Sequence, residues 1–456
     1  MNTPHLQVGV GRRDITPPLG TLLMGYPDPH GSRGATAVRD PLNATAIAIE
    51  SADGQKQAAI VSLDIALAAD PIVDAIRQQA SEATGIPGDH VTVCAIQTHS
   101  GPCIQHVPGW CEPDASFIDD LLVPGAVAAI TEAWASRAPA RIGVSTVNSN
   151  AGINRREILD NHGIGLGQLP WGVIDPTMTV LRIDTAAGVL ANVVHYGAHP
   201  TVLGGWSRVI SRDWPGVMID RVEALTGATT MFINGAVGDV APRTNSLGAV
   251  GDERNAGEPA LMETGMVAAM DAMRAWRSIR DMRNLDLNIH TETLQLPYRP
   301  LPSRDEAERE FAAIEPRKNE AGAGMCEYSH WKAVLDEYDA NRQLTHRPYH
   351  QTITAIGPIA LAPFPGEPFA ETIVRLRHAS PFQHTLAAST SCGSLGYFVT
   401  RESLHRGGYE VWVAKAYGAY ILAEHIDDVL LDENHRLLDR VFDEMNPPIA
   451  AASTPA

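Results

Sequence analysis

Apolar runs of strand length alternate along this chain with amphipathic stretches of helix length. Short apolar runs rich in Val, Ile and Leu predict buried strands, here Gln7–Arg12, Thr45–Glu50, Ala58–Leu63, Val91–Gln97, Arg141–Thr146, Met178–Ile183, Leu190–His195, Thr229–Ile233, Leu285–Leu296, Thr352–Ala362 and Thr385–Ser389. Apolar residues three or four apart predict helices, here Pro71–Ala83, Phe117–Ala135, Pro215–Leu225, Ala260–Trp276, Arg304–Asn341, Pro368–Arg377 and Val411–Met445, the last broken near Asp432.

This alternation predicts an α/β protein of layered sheets flanked by helices, formed by residues 1–446 as a single domain. The segment Arg304–Asn341 is rich in Glu, Arg, Lys and Ala and is interrupted by Gly322 and Gly324. We interpret it as a solvated helical pair that forms a peripheral excursion, favoured over a lid or the contact surface of a homo-oligomer. The Pro-, Ala- and Ser-rich stretch Pro447–Ala456 is predicted to be a disordered tail.

Composition and charge exclude several classes of partner. The 456 residues carry a net charge of −18, which disfavours nucleic acid and anionic membrane surfaces. No apolar run approaches the length of a membrane-spanning helix, so no membrane insertion is expected. The N-terminus lacks the pattern of a signal peptide, and the 5 cysteines are odd in number without a C-x-x-C pair. These features favour a reduced, cytoplasmic protein.

A histidine follows one of the predicted strands in the motif Ala198-His199-Pro200-Thr201. The loop after it ends at Asp213, just before a predicted helix. A strand, a histidine, a loop and an acidic cap commonly mount a metal or catalytic site on an α/β scaffold, so His199 is a candidate ligand. His195 lies near the end of the strand and is interpreted as structural. Asp213 either contacts substrate or is only the N-cap of the helix.

A second strand ends in the motif Thr98-His99-Ser100-Gly101-Pro102. A sheet holds such a backbone rigid while the loop exposes its side chains, so His99 is a candidate ligand or catalyst. A structural histidine is the alternative. A further alternative is a local metal site of His99 with Cys103, His106 and Cys111, although their spacing matches no familiar zinc ribbon or finger.

Three more segments carry candidate chemistry. A glycine-rich turn bears Asp239, but it lacks the pattern of a phosphate-binding loop, and a plain structural turn fits it as well. Glu367 follows an apolar strand and a Pro-Gly turn, where it can ligate a metal, cap the next helix or do both. Tyr397 and Tyr409 flank a turn, a pattern more typical of core or interface residues than of ligands.

Taken together, these segments resemble the catalytic domain of the neutral/alkaline (non-lysosomal) ceramidase family, and the resemblance runs in order along nearly the whole chain. Its motifs are Asp14-Ile15-Thr16-Pro17-Pro18, Thr98-His99-Ser100-Gly101-Pro102, Asn154-Arg155, His199 with Ile210-Ser211 and Asp213, Gly238-Asp239-Val240 with Pro242, Pro365-Gly366-Glu367, and Gly396-Tyr397 with Tyr409-Glu410. Each motif is short, and their shared order and spacing make the set specific.

The resemblance implies a zinc-dependent amidase that cleaves an N-acyl bond. The family holds its zinc with two His, a Glu and a Tyr. By motif, His199, Glu367 and Tyr397 fall on three of these ligands, and we assign His99 as the fourth. An open position on the zinc would hold a water, whose pKa the metal lowers towards neutrality.

The resemblance also implies the polar residues around the metal. Arg155 and Tyr409 match residues that line the family's site, where they would bind the substrate carbonyl or its developing oxyanion. Asp239 is placed with them as a catalytic residue. Arg155 is also assigned to substrate binding, together with Gln97 and Asp213.

Two departures from the family's pattern matter. Gln97 stands where the family has its first histidine ligand. Either His99 has taken over, or fewer side chains bind the metal, or Gln97 contributes a weak oxygen ligand; we choose His99, because a neutral imidazole is the better zinc donor. Ala241 stands where the family has a serine that is regarded as the nucleophile. We therefore predict direct attack by metal-bound hydroxide, without an acyl-enzyme.

The leading hypothesis is thus a zinc hydrolase that cleaves an acyl bond, foremost an amide, of a small soluble substrate. A lactonase or esterase that uses the same metal site is the first alternative. A non-catalytic, ceramidase-like binding protein is the second. The family's C-terminal β-sandwich domain is expected to be absent, and a membrane sphingolipid is disfavoured as substrate because no secretion signal is evident.

Overall fold

The computed structural model describes residues 5–26, 28, 31–32, 34–244, 257–320 and 322–447. Its strands are β1 (Gln7–Asp14), β2 (Ala37–Val38), β3 (Asn43–Glu50), β4 (Gln57–Leu63), β5 (Val91–Ala95), β6 (Ala138–Asn148), β7 (Gly152–Ile158), β8 (Ile164–Leu169), β9 (Thr177–Thr185), β10 (Gly188–Tyr196), β11 (Val209–Ile210), β12 (Thr229–Asn234), β13 (Val240–Pro242), β14 (Leu287–Pro297), β15 (His346–Ile356), β16 (Ile359–Pro363), β17 (Glu367–Pro368), β18 (His384–Ala388) and β19 (Tyr397–Phe398).

The α-helices are α1 (Asp70–Thr84), α2 (Ala115–Phe117), α3 (Val123–Ala135), α4 (Trp214–Thr226), α5 (Glu258–Ser278), α6 (Arg304–Ile314), α7 (Ala323–Asp339), α8 (Ala370–Ala379), α9 (Arg401–Arg406), α10 (Tyr409–Trp412) and α11 (Ile426–Met445). Short 3-10 or π turns occur at Gly88–His90, Ile118–Leu122, Glu315–Arg317 and Val413–Tyr417. Among the described residues, no helix is both long enough and apolar enough to cross a lipid bilayer.

Two sheets stack at the centre of the fold. The larger has the strand order β12-β10-β9-β6-β1-β3-β4-β5, and the smaller has the order β14-β15-β16-β18. Their facing side chains form one apolar cluster, which includes Ile49 of β3 and Val193 of β10 on one side and Ile356 of β15 and Leu386 of β18 on the other. Such continuously apolar strands are typical of sheets that are covered on both faces.

Helices cover the outer faces of this sandwich. On the larger sheet, α3 packs against β1 and β3, while α5 packs against β6 and β9. On the smaller sheet, α11 packs against β14 and α8. The result is a layered α/β protein, and the predicted fold class is confirmed.

The two edges of the larger sheet approach each other at the ends of β12 and β5. Ser62 Oγ of β4 donates to the carbonyl oxygen of Phe232 at 2.6 Å. Asn234 Nδ2 at the end of β12 donates to Ile96 O at 2.8 Å and to Ala198 O at 3.3 Å. The loops that follow β5, β10 and β12 therefore meet at one place.

The structure also corrects several predicted elements. The stretch Thr352–Ala362 is two antiparallel strands, β15 and β16, because the turn between them contains Gly357 with a φ of 53°. The break in the last predicted helix falls between Tyr417 and Ile426 rather than near Asp432. Arg304–Asn341 does form a helical pair, α6 and α7. The predicted tail Pro447–Ala456 lies, apart from its first residue, outside the described residues.

Two of the five cysteines form a disulfide, Cys103–Cys111, so the expectation of a fully reduced set is wrong. The alternative metal site at His99, Cys103, His106 and Cys111 is wrong as well, because both thiols are used and His106 is exposed and paired with Glu112. The cytoplasmic location, which partly depended on reduced cysteines, stays a prediction.

Three buried aspartates give the folding stability an expected pH dependence. Burial raises the pKa of Asp64, Asp213 and Asp239 to about 6, above the ordinary value of 3.8. Between pH 4 and 6 the folded chain therefore keeps protons that the unfolded chain has lost, so their contribution to stability falls as the pH rises through this window. We expect Asp64→Asn to gain up to about 3 kcal/mol over the native chain at pH 7.5 but not at pH 4.

Urea unfolding of both proteins at the two pH values measures this difference. The exposed Asp74 on α1 offers a control, Asp74→Asn. An equal effect of Asp64→Asn at pH 4 and 7.5 would contradict the linkage argument. It would show that the substitution acts through packing around Asp64 or through its 2.7 Å bond from the Asn43 N–H.

Candidate active site

The candidate residues meet because they follow the carboxyl ends of parallel strands. Gln97 and His99 follow β5, and His199 follows β10. Glu367 follows β16 and lies at the start of β17, whose parallel partner β19 begins with Tyr397. Because Glu367 and Tyr397 are register partners, their side chains lie side by side.

His199 is fully buried, and its protonation is set by a backbone carbonyl. Its Nδ1 lies 3.1 Å from Val240 O, which can only accept, so Nδ1 carries the proton and Nε2 has the acceptor lone pair. Burial, assisted by the nearby Arg155 cation, lowers the pKa of His199, so the imidazole is neutral. A neutral imidazole that donates its other N–H to a carbonyl is the usual form of a metal-binding histidine.

Two oxygen-bearing side chains lie against this lone pair. Glu367 Oε2 is 3.1 Å from His199 Nε2, although the contact lacks hydrogen-bond geometry. Burial would raise the pKa of Glu367, but the pKa is lowered, and the nearby Arg155 cation favours the charged form, so the side chain is a carboxylate. The amide nitrogen of Gln97 lies 3.4 Å from His199 Nε2.

Gln97 reaches this position through an unusual backbone conformation. Its φ is 71°, in the left-handed region that few residues other than glycine adopt, which aims the amide at His199. His99 instead packs edge-on against the His199 ring, with ring centroids 5.7 Å apart. The structure thus places the amide of Gln97, not the ring of His99, against Nε2 of His199, and the assignment of His99 as a ligand stays a prediction.

Three buried lone-pair atoms in the described chain have no hydrogen-bond partner here, namely Gln97 Oε1, His99 Nδ1 and Glu367 Oε2. Unpaired buried acceptors are costly, and their occurrence together indicates a missing cation or proton donor. No group of three His, Cys, Asp or Glu side chains close enough to share a metal occurs in the described part of the chain. A metal at this place would have His199 and Glu367 as donors, together with the phenol of Tyr397 and with either the amide oxygen of Gln97 or the ring of His99.

These donors open into a narrow cavity of about 50 Å³. Its polar wall includes Gln97, His99, Glu367, Tyr397 and Tyr409, whereas His199 lies behind this wall, and its apolar wall includes Trp110 from the disulfide loop. A larger cleft of about 750 Å³ lies along α1 and the start of α3, but it contains none of these donors. We assign the chemistry to the small cavity, because the donors decide where a reaction can occur.

Arg155 lies behind this wall and does not line the cavity. Its Nη2 donates to the hydroxyl of Tyr397 at 3.2 Å. Its Nη1 is 3.2 and 3.1 Å from the two ring nitrogens of His199. An atom equidistant from both nitrogens cannot lie on the lone-pair axis of Nε2, so that lone pair stays available. Arg155 is thus absent from the cavity lining, whereas Tyr409 does line the cavity, and the assignment of Arg155 to substrate binding stays a prediction.

The carboxylates of Asp239 and Asp213 both accept hydrogen bonds from backbone N–H groups. Asp239 accepts from Asn154 Nδ2 at 2.9 Å and from the N–H of Ala370, the first residue of α8, at 2.8 Å. Neither aspartate lines the cavity. Both carboxylate oxygens of Asp239 thus accept hydrogen bonds from the surrounding chain, and its predicted catalytic role stays a prediction.

Asp213 accepts from three backbone N–H groups, those of Val202, Leu203 and Trp214. The N-cap interpretation of this residue is thus confirmed. The side chain is fully buried and both of its oxygens accept hydrogen bonds, and its assignment to substrate binding stays a prediction. His195 is structural, as expected, because its Nε2 pairs with Ala387 O at 2.8 Å.

The sequence alone did not predict the charged side chains that pack around Arg155. Glu410 and Arg156 are buried there. Glu410 belongs to the motif Tyr409-Glu410 but the sequence assigns it no role, because its arginine partners lie more than 250 positions away in the chain. Ala241 is fully buried on β13, next to Val240, whose carbonyl orients His199. Its methyl group offers no nucleophile.

The family model for the N-terminal part of neutral/alkaline non-lysosomal ceramidases matches residues 6–275 of the chain. The chain belongs to this family. Its members are hydrolases that act on amide C–N bonds, and the predicted resemblance is confirmed. No curated protein matches the chain.

Solved structures of ceramidases share the fold. A structure of neutral ceramidase from Pseudomonas aeruginosa matches with a TM-score of 0.72 and 18% sequence identity, over 100% of this chain and 77% of that one. A structure described as ceramidase complexed with C2 matches with the same score and identity, over 100% and 78%. At this identity the likeness establishes the fold of the ceramidase-like chain and not its substrate.

Proposed function

We propose that this ceramidase-like chain is a zinc-dependent hydrolase that cleaves the acyl C–N bond of a small soluble N-acyl amide without a serine nucleophile. The observation that carries the proposal is the pair of buried oxygens without hydrogen-bond partners, Glu367 Oε2 and Gln97 Oε1, on side chains that contact Nε2 of His199. Family membership supports the amide bond as the target.

His199, Glu367 and Tyr397 would hold the metal, with Gln97 or His99 as the further donor. Zinc bound by such a set lowers the pKa of water and polarises a carbonyl oxygen, which supplies both nucleophile and electrophile. Because Ala241 has no side-chain oxygen, hydrolysis would proceed without an acylated protein. Tyr409 lines the cavity and can donate its hydroxyl to the acyl oxygen, since burial raises its pKa and keeps it protonated.

A substrate panel combined with metal removal tests the proposal. The purified chain is assayed for zinc, stripped with a chelator, and reloaded, and each form is given soluble N-acyl amides, matched esters and lactones, and a long-chain ceramide in micelles. We expect about one zinc per chain, amide cleavage that disappears with the metal and returns with it, and no acylated chain by mass spectrometry.

Other outcomes are equally informative. Faster cleavage of esters or lactones than of amides would replace the amidase by the lactonase or esterase alternative. Preference for micellar ceramide would overturn the small soluble substrate. No cleavage of any compound, with no metal bound, would identify a non-catalytic binding protein.

A further inference from the structure

Two consecutive arginines of β7, Arg155 and Arg156, bind the same carboxylate. Arg155 Nε donates to Glu410 Oε1 at 2.9 Å, and Arg156 Nη1 donates to Glu410 Oε2 at 2.6 Å. Neighbouring side chains of a strand normally point to opposite faces. Here the β7–β8 register shifts between Asn154 and Arg156, and such a bulge re-aims side chains so that both arginines can reach Glu410.

Arg156 ties this carboxylate to the surrounding backbone. Its Nη2 donates to Gly407 O at 2.7 Å and to Ser403 O at 3.2 Å. The chain then passes Gly408, with a φ of 102°, where a Cβ atom would come within 3.1 Å of Arg156 Nη1. A glycine is therefore required for the start of α10 to bring Glu410 this close.

Arg155 is oriented by this arrangement towards the site. Because Glu410 takes its Nε, the two Nη groups are left to face Tyr397 and His199. The side chains of Arg155 and Glu410 are 2% and 1% exposed. Arg155, Arg156 and Glu410 together carry one net positive charge. This charge lies beside Glu367 and Tyr397.

We propose that Glu410 is a positioning residue for the reaction, which acts by fixing the guanidinium of Arg155 against Tyr397 and His199. This inference rests on the proposed hydrolase function of the same site. Arg156 serves it indirectly, by anchoring Glu410. Because Arg155 does not line the cavity, Glu410 influences the turnover step and leaves the apolar contacts of the substrate unchanged.

The first test is a double-mutant cycle of Glu410→Gln and Arg155→Met. Glu410→Gln is expected to lower kcat roughly 10- to 30-fold with KM within about 3-fold, the pattern of an interaction made chiefly in the transition state. In the Arg155→Met background, Glu410→Gln is expected to cause less than about a 2-fold further loss, because the residue it positions is gone. Equal losses in both backgrounds, or a change carried by KM, would overturn the proposal.

Glu410→Asp keeps the negative charge. It serves as a second variant in case Glu410→Gln does not fold. We expect it to restore most of the kcat lost in Glu410→Gln, because a carboxylate can still pair with both arginines. Asp175→Asn, which removes a buried partner of Arg377 outside the cavity, is the matched control and should leave kcat within about 2-fold.

The second test does not depend on hydrolysis. The Nε–H NMR signal of Arg155, assigned by its loss in Arg155→Met, is expected to exchange slowly with solvent in the native chain and at least about 10-fold faster in Glu410→Gln. Unchanged protection would overturn the positioning role. If no amide is cleaved but the protection behaves as expected, the proposed function fails while the orientation of Arg155 by Glu410 stands.

Discussion

His199→Ala is expected to remove the bound metal and to lower kcat/KM for amide hydrolysis by about 10³-fold or more, equivalent to at least ~4 kcal/mol of transition-state stabilisation. The expectation follows from the geometry of one side chain. The Nδ1–H of His199 is held by Val240 O at 3.1 Å, so Nε2 is the only free lone pair on the ring. Glu367 Oε2 lies 3.1 Å from it and, without that imidazole, has no second strong donor beside it.

The measurement needs metal content and activity from the same preparation. His195→Gln is a matched control, because His195 is also buried, lies near the end of β10 four residues before His199, and pairs with Ala387 O away from the cavity. The His195→Gln chain should retain its metal. Circular dichroism of both variants distinguishes loss of the metal-binding site from unfolding of the chain. Full metal content in a folded His199→Ala chain would contradict the proposed site.

Much of the fold was predictable because its strands are covered on both faces. The continuous apolar runs of β3, β4 and β10 reflect burial between the second sheet and the helices, and each such run has strand length. The hairpin of β7 and β8 was missed. It carries Arg155 and Arg156 buried side by side, so it lacks the apolar alternation by which a strand is detected.

The candidate site was predictable to the extent that it lies at strand ends. His199, Glu367 and Tyr397 follow apolar runs, and parallel strands bring their carboxyl ends together. The sequence could not predict the direction in which each side chain points, and that direction determines its contacts. Asp239 appears catalytic by position, yet its oxygens hold Asn154 and the start of α8.

Gln97 is the residue on which sequence and structure differ most. An imidazole is the stronger zinc donor, which favoured His99, but the left-handed φ of 71° at position 97 turns that side chain towards His199. His99 packs edge-on against the rings of both His199 and Tyr26. The backbone conformation of a single residue thus decides which side chain faces Nε2 of His199, and no periodicity in the sequence encodes it.

Gln97→His is therefore expected to tighten zinc binding roughly 100-fold, about 2.7 kcal/mol. An imidazole beside His199 and Glu367 would complete a ligand set of two histidines and one carboxylate, which is common at catalytic zinc sites. Histidine also tolerates the left-handed backbone better than most residues, so the fold should accept it. Calorimetric titration of the stripped chain with zinc measures the change directly, without reference to activity.

The reciprocal variant His99→Gln distinguishes the two assignments. If Gln97 is the donor, His99→Gln should change zinc affinity by less than about 3-fold, since the ring centroid of His99 lies 5.7 Å from that of His199. If His99 is the donor, the order reverses: His99→Gln would lose the metal and Gln97→His would have little effect. Because each assignment predicts a large change in one variant and a small change in the other, the pair of titrations identifies which side chain completes the site.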